Sequence, residues 1–458
     1  MPDTIAAVAT GDRTAAIGIL RLSGPDAIAV VDKVFRPLAG PPMAEREDRK
    51  LVYGRLVEEK SGVTLDHCLC TVSRGPGSYT GEDTAELQCH GSPMVLAMGL
   101  ECLFRAGARQ ARPGEFTRRA FLNGRLDLTQ AEAVIDLIEA ETPAAACCAA
   151  GQLEGALGRR IQEVYDALTD ICAHFHAVLD YPDEDIEPFS LARYAGVLAR
   201  AEGELQALGE SYRRGRTLNA GIPTAILGRP NAGKSSLLNA LVGYDRAIVT
   251  DLPGTTRDTV TVRANLGKTV LELTDTAGIR ETADPVERLG VERALAAGRE
   301  AELALVLVDP GDPEPEDWAI LRSVQHVPRI ILVLTKADLY PMEGAILSTG
   351  GLRTDEVVSL SAKTGKGLDV LASAVESCFP LPERAWRGEI LTNARQAEAA
   401  ARARESLSAA REAMATGITP DAVLSEVECA MAALGELIGR TVREDVTDRI
   451  FSRFCVGK

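Results

Sequence analysis

Apolar residues recur along this chain with two different periods, and the switch between them divides it. Between Leu128 and Tyr181 the chain is Ala-rich, and Leu153, Leu157, Ile161, Val164, Leu168 and Ile171 follow at spacings of four and three, the signature of helix. A turn at Tyr181-Pro182-Asp183 precedes a second helical segment, Leu191 to Gly215, and from Glu389 the same Ala/Leu/Glu/Arg composition resumes to the end. Between these stretches the pattern changes to short apolar runs: Pro223 to Leu227 and Ile330 to Leu334 read as buried strands, and Val270 to Thr274 and Val357 to Leu360 as further strands. Residues 1 to about 118 alternate over Ile17 to Leu22, Val63 to Val72 and Thr84 to Gln88, with turn clusters such as Arg74-Gly75-Pro76-Gly77. The pattern predicts a multidomain α/β protein: an α+β domain over 1–118, helical segments over 119–216 and 381–458, and a doubly wound, mostly parallel sheet over 217–380. Leu381-Pro382 serves as a linker. Two aromatic-poor helical stretches most simply share one bundle, with the sheet domain inserted in it, because separate mini-domains would each bury less surface.

The run Gly228-Arg229-Pro230-Asn231-Ala232-Gly233-Lys234-Ser235 sits between the strand Pro223 to Leu227 and a helix predicted over Ser236 to Leu241. That context makes it a phosphate-binding loop. Its glycines let backbone N–H groups, through Ala232, Gly233 and Ser236, curl around an anion; Lys234 reaches the outer phosphates and the Ser235 hydroxyl suits a magnesium ion. The chain is therefore expected to bind a nucleoside triphosphate. The base is indicated by Thr335-Lys336-Ala337-Asp338, after the strand Ile330 to Leu334. A carboxylate there can accept from N1–H and the exocyclic amine of guanine, a donor pair that adenine lacks. Guanine-specific loops usually begin with Asn, and Thr335 removes an amide that normally braces the loop. Ser361-Ala362-Lys363, after Val357 to Leu360, supplies the second base loop, so the three ordered elements favour GTP over ATP.

Two further segments complete the set. Asp275-Thr276-Ala277-Gly278 places a carboxylate near the magnesium's outer shell and an N–H near the γ-phosphate. Thr250-Asp251-Leu252-Pro253-Gly254-Thr255-Thr256-Arg257-Asp258 is a loop of turn formers in which Thr256 is the second candidate magnesium ligand. Ile279 stands where Ras-like enzymes carry a water-orienting Gln, and an aliphatic side chain cannot orient water. The nearest acidic candidate is Glu287, which follows Pro285 in a predicted first helical turn; complementing the helix dipole is its plainer role.

Composition constrains the rest. At 458 residues with 46% hydrophobic and 25% charged content, the chain has ordinary globular values and length for about three domains. Asp3, Asp12, Arg13 and Arg21 interrupt any signal-peptide core, and no run approaches the roughly 20 apolar residues that cross a bilayer, so a cytoplasmic protein without membrane contact is expected. Ten cysteines without a CxxC pair, several in helical apolar context (Cys147, Cys148, Cys172), read as reduced, mostly buried thiols. A net charge of −16 argues against tight, autonomous nucleic-acid binding.

The P-loop with Asn231, the Gly254-Thr255-Thr256-Arg257-Asp258 segment, Ile279 and the terminal Phe454-Cys455-Val456-Gly457-Lys458 together resemble the bacterial tRNA-modifying GTPase family MnmE, also called TrmE, over essentially the whole chain. The resemblance implies a Ras-like G domain and an N-terminal domain similar to folate-binding one-carbon domains, through which the protein forms a homodimer. It implies a potassium ion held by the Asn231 side chain, the carbonyls of Thr250 and Leu252, and Thr255, when two G domains meet. It gives Glu287 the water-activating role. It carries contacts for a 5-formyl- or methylene-tetrahydrofolate to Arg21, Glu86, Arg125 and Lys458, with Arg125 replacing a Lys of some relatives. It also implies that the chain works with the FAD protein MnmG, as a heterotetramer, to add a carboxymethylaminomethyl group at the wobble uridine of certain tRNAs. Cys455 is open between two readings: a small buried residue, or a thiol delivered into the folate cleft for catalysis. A ribosome-assembly GTPase, a nucleotide-switched binding module, is the alternative function; it would be expected to carry a basic RNA-binding domain instead of this N-terminal segment.

Overall fold

The computed structural model describes residues 3–11, 13–181, 187–244, 262–273, 301–340, 351–441 and 444–457. The chain divides into two compact units, Met1–Ile135 with Ala432–Lys458, and Asp136–Met431.

The first unit is built on a seven-stranded sheet of β1 (Ile5–Val8), β2 (Ala15–Ser23), β3 (Phe35–Pro37), β4 (Val52–Val57), β5 (Thr64–Ser73), β6 (Thr84–Gly91) and β7 (Arg109–Gln110), in the order β3-β4-β5-β6-β2-β1-β7. The helices α1 (Ala27–Val34) and α2 (Pro93–Ala106) pack with it. Alternation decides which side chains meet them. Leu20, Leu22, Leu87 and Ala85 join Val31 and Leu103 in one core, so their neighbours Arg21 and Glu86 point to the opposite face. Register places Arg21 directly across from Glu86. The helices α3 (Glu115–Leu122) and α4 (Leu128–Ile138) follow.

The end of the chain, Ala432–Lys458, groups with this first unit. The reason is aromatic: Phe451 and Phe454 pack with Ala131, and the Phe121 and Phe451 ring centroids lie 6.3 Å apart. Val456 then bridges to Pro113, and the Gly114 N–H donates to the Cys455 carbonyl at 3.4 Å. Gly457 lies against β1, where an added Cβ would sit 2.2 Å from the Val8 carbonyl oxygen, so only glycine fits.

In the second unit α5 (Pro143–Leu153), α6 (Ala156–Asp180) and α7 (Leu191–Ala220) precede a six-stranded sheet. Leu157, Ile161, Val164, Leu168 and Ile171 are buried on α6 as the spacing predicts. Leu153 belongs to α5 instead, because the chain turns through Gly155 at φ 83° between them. The sheet comprises β8 (Ile222–Gly228), β9 (Val262–Leu266), β10 (Thr269–Leu273), β11 (Leu303–Val308), β12 (Arg329–Leu334) and β13 (Glu356–Ser359). Their order is β13-β12-β11-β8-β10-β9, parallel except for the β9 edge. Central β11 is buried on both faces: Leu303, Leu305 and Leu307 enter one core and Ala304, Val306 and Val308 the other. The helices α8 (Lys234–Tyr244), α9 (Pro315–Ser323) and α10 (Leu368–Cys378) accompany it. After the short α11 (Glu383–Trp386), the helix α12 (Ala394–Ala415) returns to pack along α7, and Gln152 Nε2 donates to the Ile390 carbonyl at 2.7 Å, joining segments on either side of the sheet. The helices α13 (Pro420–Ile438) and α14 (Glu444–Phe451) complete the chain.

Candidate nucleotide-binding site

The strand β8 ends in the P-loop and α8 begins at Lys234, two residues earlier than its apolar pattern shows. No residue from Gly228 to Ser236 is acidic. Asn231 is held at φ 64°, a left-handed turn that reverses the loop and leaves its side chain exposed at the crest. Ala232 is buried beneath it, and the Ala232 N–H donates to the Arg229 carbonyl at 3.2 Å. The Lys234 ammonium lies across the loop, donating to the Gly228 and Arg229 carbonyls at 2.8 and 2.7 Å. Ser235 and Ser236 are exposed in the first turn of α8, where backbone N–H groups and the helix dipole favour an anion.

The base loops meet this cradle from β12 and β13. Buried Thr335 donates its hydroxyl to the Val308 carbonyl at 3.3 Å, and its methyl carbon lies 3.7 Å from where a Cβ on Gly233 would stand. The loop thus keeps a brace at this position, made by a hydroxyl and a methyl in place of an amide. Lys336 is at φ 57°, with its ammonium on Asp309. Burial works to raise the Asp309 carboxyl, but Lys336 and the Gly311 N–H outweigh it and hold the group below its ordinary value. The Ala337 N–H donates to the Leu360 carbonyl at 3.2 Å, tying the two base loops together. Asp338 is exposed; the buried Ser361 hydroxyl donates to it at 2.7 Å, and that bond, with a smaller effect from Lys363, lowers its pKa. It is therefore an ionised, oriented acceptor. Ala362 and Lys363 continue the loop, which closes where the Gly365 N–H donates to the Ser361 carbonyl at 2.9 Å.

Two contributors escaped the sequence reading. Asp309 is one. The other is Arg229, whose guanidinium meets Asp317 and Glu314, each at 2.9 Å, at the start of α9. Asp317 is itself buried and receives the Glu314 N–H at 3.0 Å, so the P-loop's first turn is fixed to the neighbouring helix by a compensated buried charge. Only the Asp-Pro ending of the β11 run and the Glu-Pro-Glu-Asp helix start hinted at this. Thr250, Asp251, Leu252, Pro253, Gly254, Thr255 and Thr256, then Asp275, Thr276, Ala277, Gly278 and Ile279, and Glu287 lie outside the described residues.

The first unit carries the other predicted group. Arg21 Nε donates to Glu86 Oε1 at 2.8 Å, and its guanidinium lies 6.0 Å from the Tyr79 ring and 5.9 Å from the Phe116 ring. Tyr79 donates to or accepts from Thr117 at 3.0 Å, and burial raises its pKa. Exposed Arg125 sits beside Gly81, with its Cγ 3.4 Å from where a Cβ on Gly81 would stand. The tail that ends at Gly457 lies by Val8, and Ala7 is the register partner of Arg21. Arg21, Glu86 and the tail therefore share one neighbourhood, although Lys458 lies outside the described residues. Cys455 is exposed, which removes the reading of a buried packing residue. Cys147 is exposed too, unlike its neighbour Cys148, and all ten cysteines are free.

Strand, P-loop, helix and paired base loops define a P-loop protein of the GTP-binding class. A family model described as the MnmE helical domain matches residues 128–455, and one described as the GTP-binding protein TrmE N-terminus matches residues 4–125. Proteins named tRNA modification GTPase MnmE from Symbiobacterium thermophilum and Moorella thermoacetica are 44% and 43% identical, over 100% of this chain and 99% and 100% of theirs. The chain belongs to the MnmE family of tRNA modification GTPases. Among solved structures, the G domain of the T. maritima FeoB iron transporter is 25% identical and covers 34% of this chain and 96% of that one; its TM-score of 0.26 is too low to bear on the assignment.

Proposed function

We propose that this chain hydrolyses GTP with the help of a potassium ion when two copies bring their G domains together, and that it acts with the flavoprotein MnmG to add a carboxymethylaminomethyl group at the wobble uridine of certain tRNAs. The observation that carries the reading is the joined cradle: Asn231 at the loop crest, Lys234 across the loop, and ionised Asp338 oriented by Ser361. Asn231 presents an exposed amide oxygen, a donor suited to a hard monovalent cation, and Ser235 presents a hydroxyl suited to magnesium. Thr250, Leu252 and Thr255 would complete the potassium set and Thr256 the magnesium pair. Such cations would supply fixed positive charge where charge develops in phosphoryl transfer. Lys234 holds the outer phosphates, and Glu287 orients and accepts a proton from the attacking water, the task for which Ile279 has no polar atom.

The first unit would bind a 5-formyl- or methylene-tetrahydrofolate on the face of its sheet that carries Arg21 and Glu86. Glu86 offers an acceptor for pterin N–H groups, while Arg21, Arg125 and Lys458 offer cations for carboxylates. Cys455 would be presented to that ligand by the tail. The expected test is wobble-uridine analysis of tRNA from a strain lacking the gene: modification disappears, the wild-type gene restores it, and Cys455→Ser does not while retaining GTP turnover within a few-fold. Normal modification in the deletion strain would contradict the reading and favour a ribosome-assembly role.

A further inference from the structure

Two adjoining hollows, of about 440 and 410 Å³, open along the last turns of α7 where they meet the starts of β11 and β12. The P-loop follows the other end of parallel β8, so this seam lies at the opposite end of the sheet, about 20 Å away by strand rise. Arg213, Arg214, Arg216 and Arg329 line the hollows against two carboxylates, Glu210 and Glu302. In a chain of net charge −16 this is a local reversal of sign.

Two of the four arginines are already engaged. Arg213 Nε meets Glu302 at 3.1 Å and Arg329 meets Asp355 at 2.9 Å. Arg214 and Arg216 are exposed and make no ion pair or side-chain hydrogen bond among the described residues. Complementing the helix dipole does not account for them, because the last turn of α7 holds no basic residue and both lie ahead of it. Arginine offers a fork of donors that matches phosphate oxygens.

We propose that this seam is a docking site for the sugar–phosphate backbone of the RNA substrate, with Arg214 and Arg216 as its phosphate contacts and Arg213 held between them by Glu302. It rests on the reading of tRNA as the substrate. It also revises what net charge alone suggests: the chain as a whole repels a polyanion, so its own contact concentrates where the sign reverses.

The test is fluorescence anisotropy of labelled tRNA with the purified full chain across about 50–300 mM KCl. Arg214→Glu with Arg216→Glu should weaken binding at least tenfold at about 100 mM salt and shrink the log–log salt slope by about one to two, as expected for two lost phosphate contacts. GTP turnover and melting temperature should stay unchanged. Should the reversal disturb folding, Arg214→Gln with Arg216→Gln should give a smaller loss in the same direction. Unchanged affinity and slope in either folded variant, or no tRNA binding by the wild-type chain even at the lowest salt, would overturn the proposal. Wobble-modification analysis of the deletion strain judges the substrate reading separately.

Discussion

The nucleotide loop and the Arg21-bearing face of the N-terminal sheet, the place proposed here for a folate, are built by different means. The loop is contiguous: Gly228 to Ser235 supplies backbone donors, one lysine and one hydroxyl in eight positions, and the fold merely presents them. The proposed folate site is assembled from residues 21, 79, 86, 116 and 125, brought together by strand register and a docked tail. The first depends on conformations that short motifs encode. The second depends on side-chain charges held by other side chains. That difference predicts which changes each site tolerates.

The largest effect is expected in the first region. Glu287→Ala should lower the chemical step of GTP hydrolysis by about 10² or more, the scale of a positioned acid–base group, with nucleotide affinity hardly moved. Single-turnover rates unchanged in this variant would reduce Glu287 to a helix-terminal charge. Next comes base selection. Asp338→Asn replaces an acceptor with a donor facing guanine's donors; a charge-assisted bond is worth about 1.5–3 kcal/mol, so GTP affinity should fall roughly ten- to a hundredfold. XTP, whose base carries an acceptor at that position, should become the preferred substrate. A variant that still favours GTP would break the assignment of Asp338 to the base.

The smallest effect sharpens the contrast in the second region. Arg109 holds Asp3 at about 2 instead of 3.8, and Arg109, the Arg112 N–H and Arg119 together overcome burial to hold Glu115 at about 2 instead of 4.5. Depressed carboxylates stabilise the folded state fully above their unfolded values, and that contribution is lost as pH falls from about 4.5 toward 2. The first unit should therefore keep a constant melting temperature above about pH 5 and soften below it. Arg109→Ala should lower the melting temperature at neutral pH and flatten the acid decline. Parallel acid curves for variant and wild type would show that these pairs do not support the unit.

How far each region could be read from the sequence follows from the same contrast. The P-loop, both base loops and the strands around them stood where apolar runs ended in glycine and polar turns, because those features are local, although the edge strand β13 leaves Val357 exposed. The Arg229–Asp317 tether did not, since it joins positions 88 residues apart and neither is unusual in type. The brace at Thr335 needed the structure, because only the fold shows a hydroxyl and a methyl standing in for an amide. The tail's contacts also needed the structure: its helical composition matches the bundle, while three aromatic rings, Phe121, Phe451 and Phe454, set what it packs against. Arg21 and Glu86 were named together only through the family resemblance; their ion pair and shared face are set by register, which the sequence does not print.

Steady-state GTP turnover by the purified full chain in potassium and in sodium tests the central claim most directly. The exposed Asn231 amide at the loop crest predicts high turnover in potassium, little in sodium, and loss of the potassium response in Asn231→Ala with nucleotide binding retained. Equal rates in the two salts would contradict it.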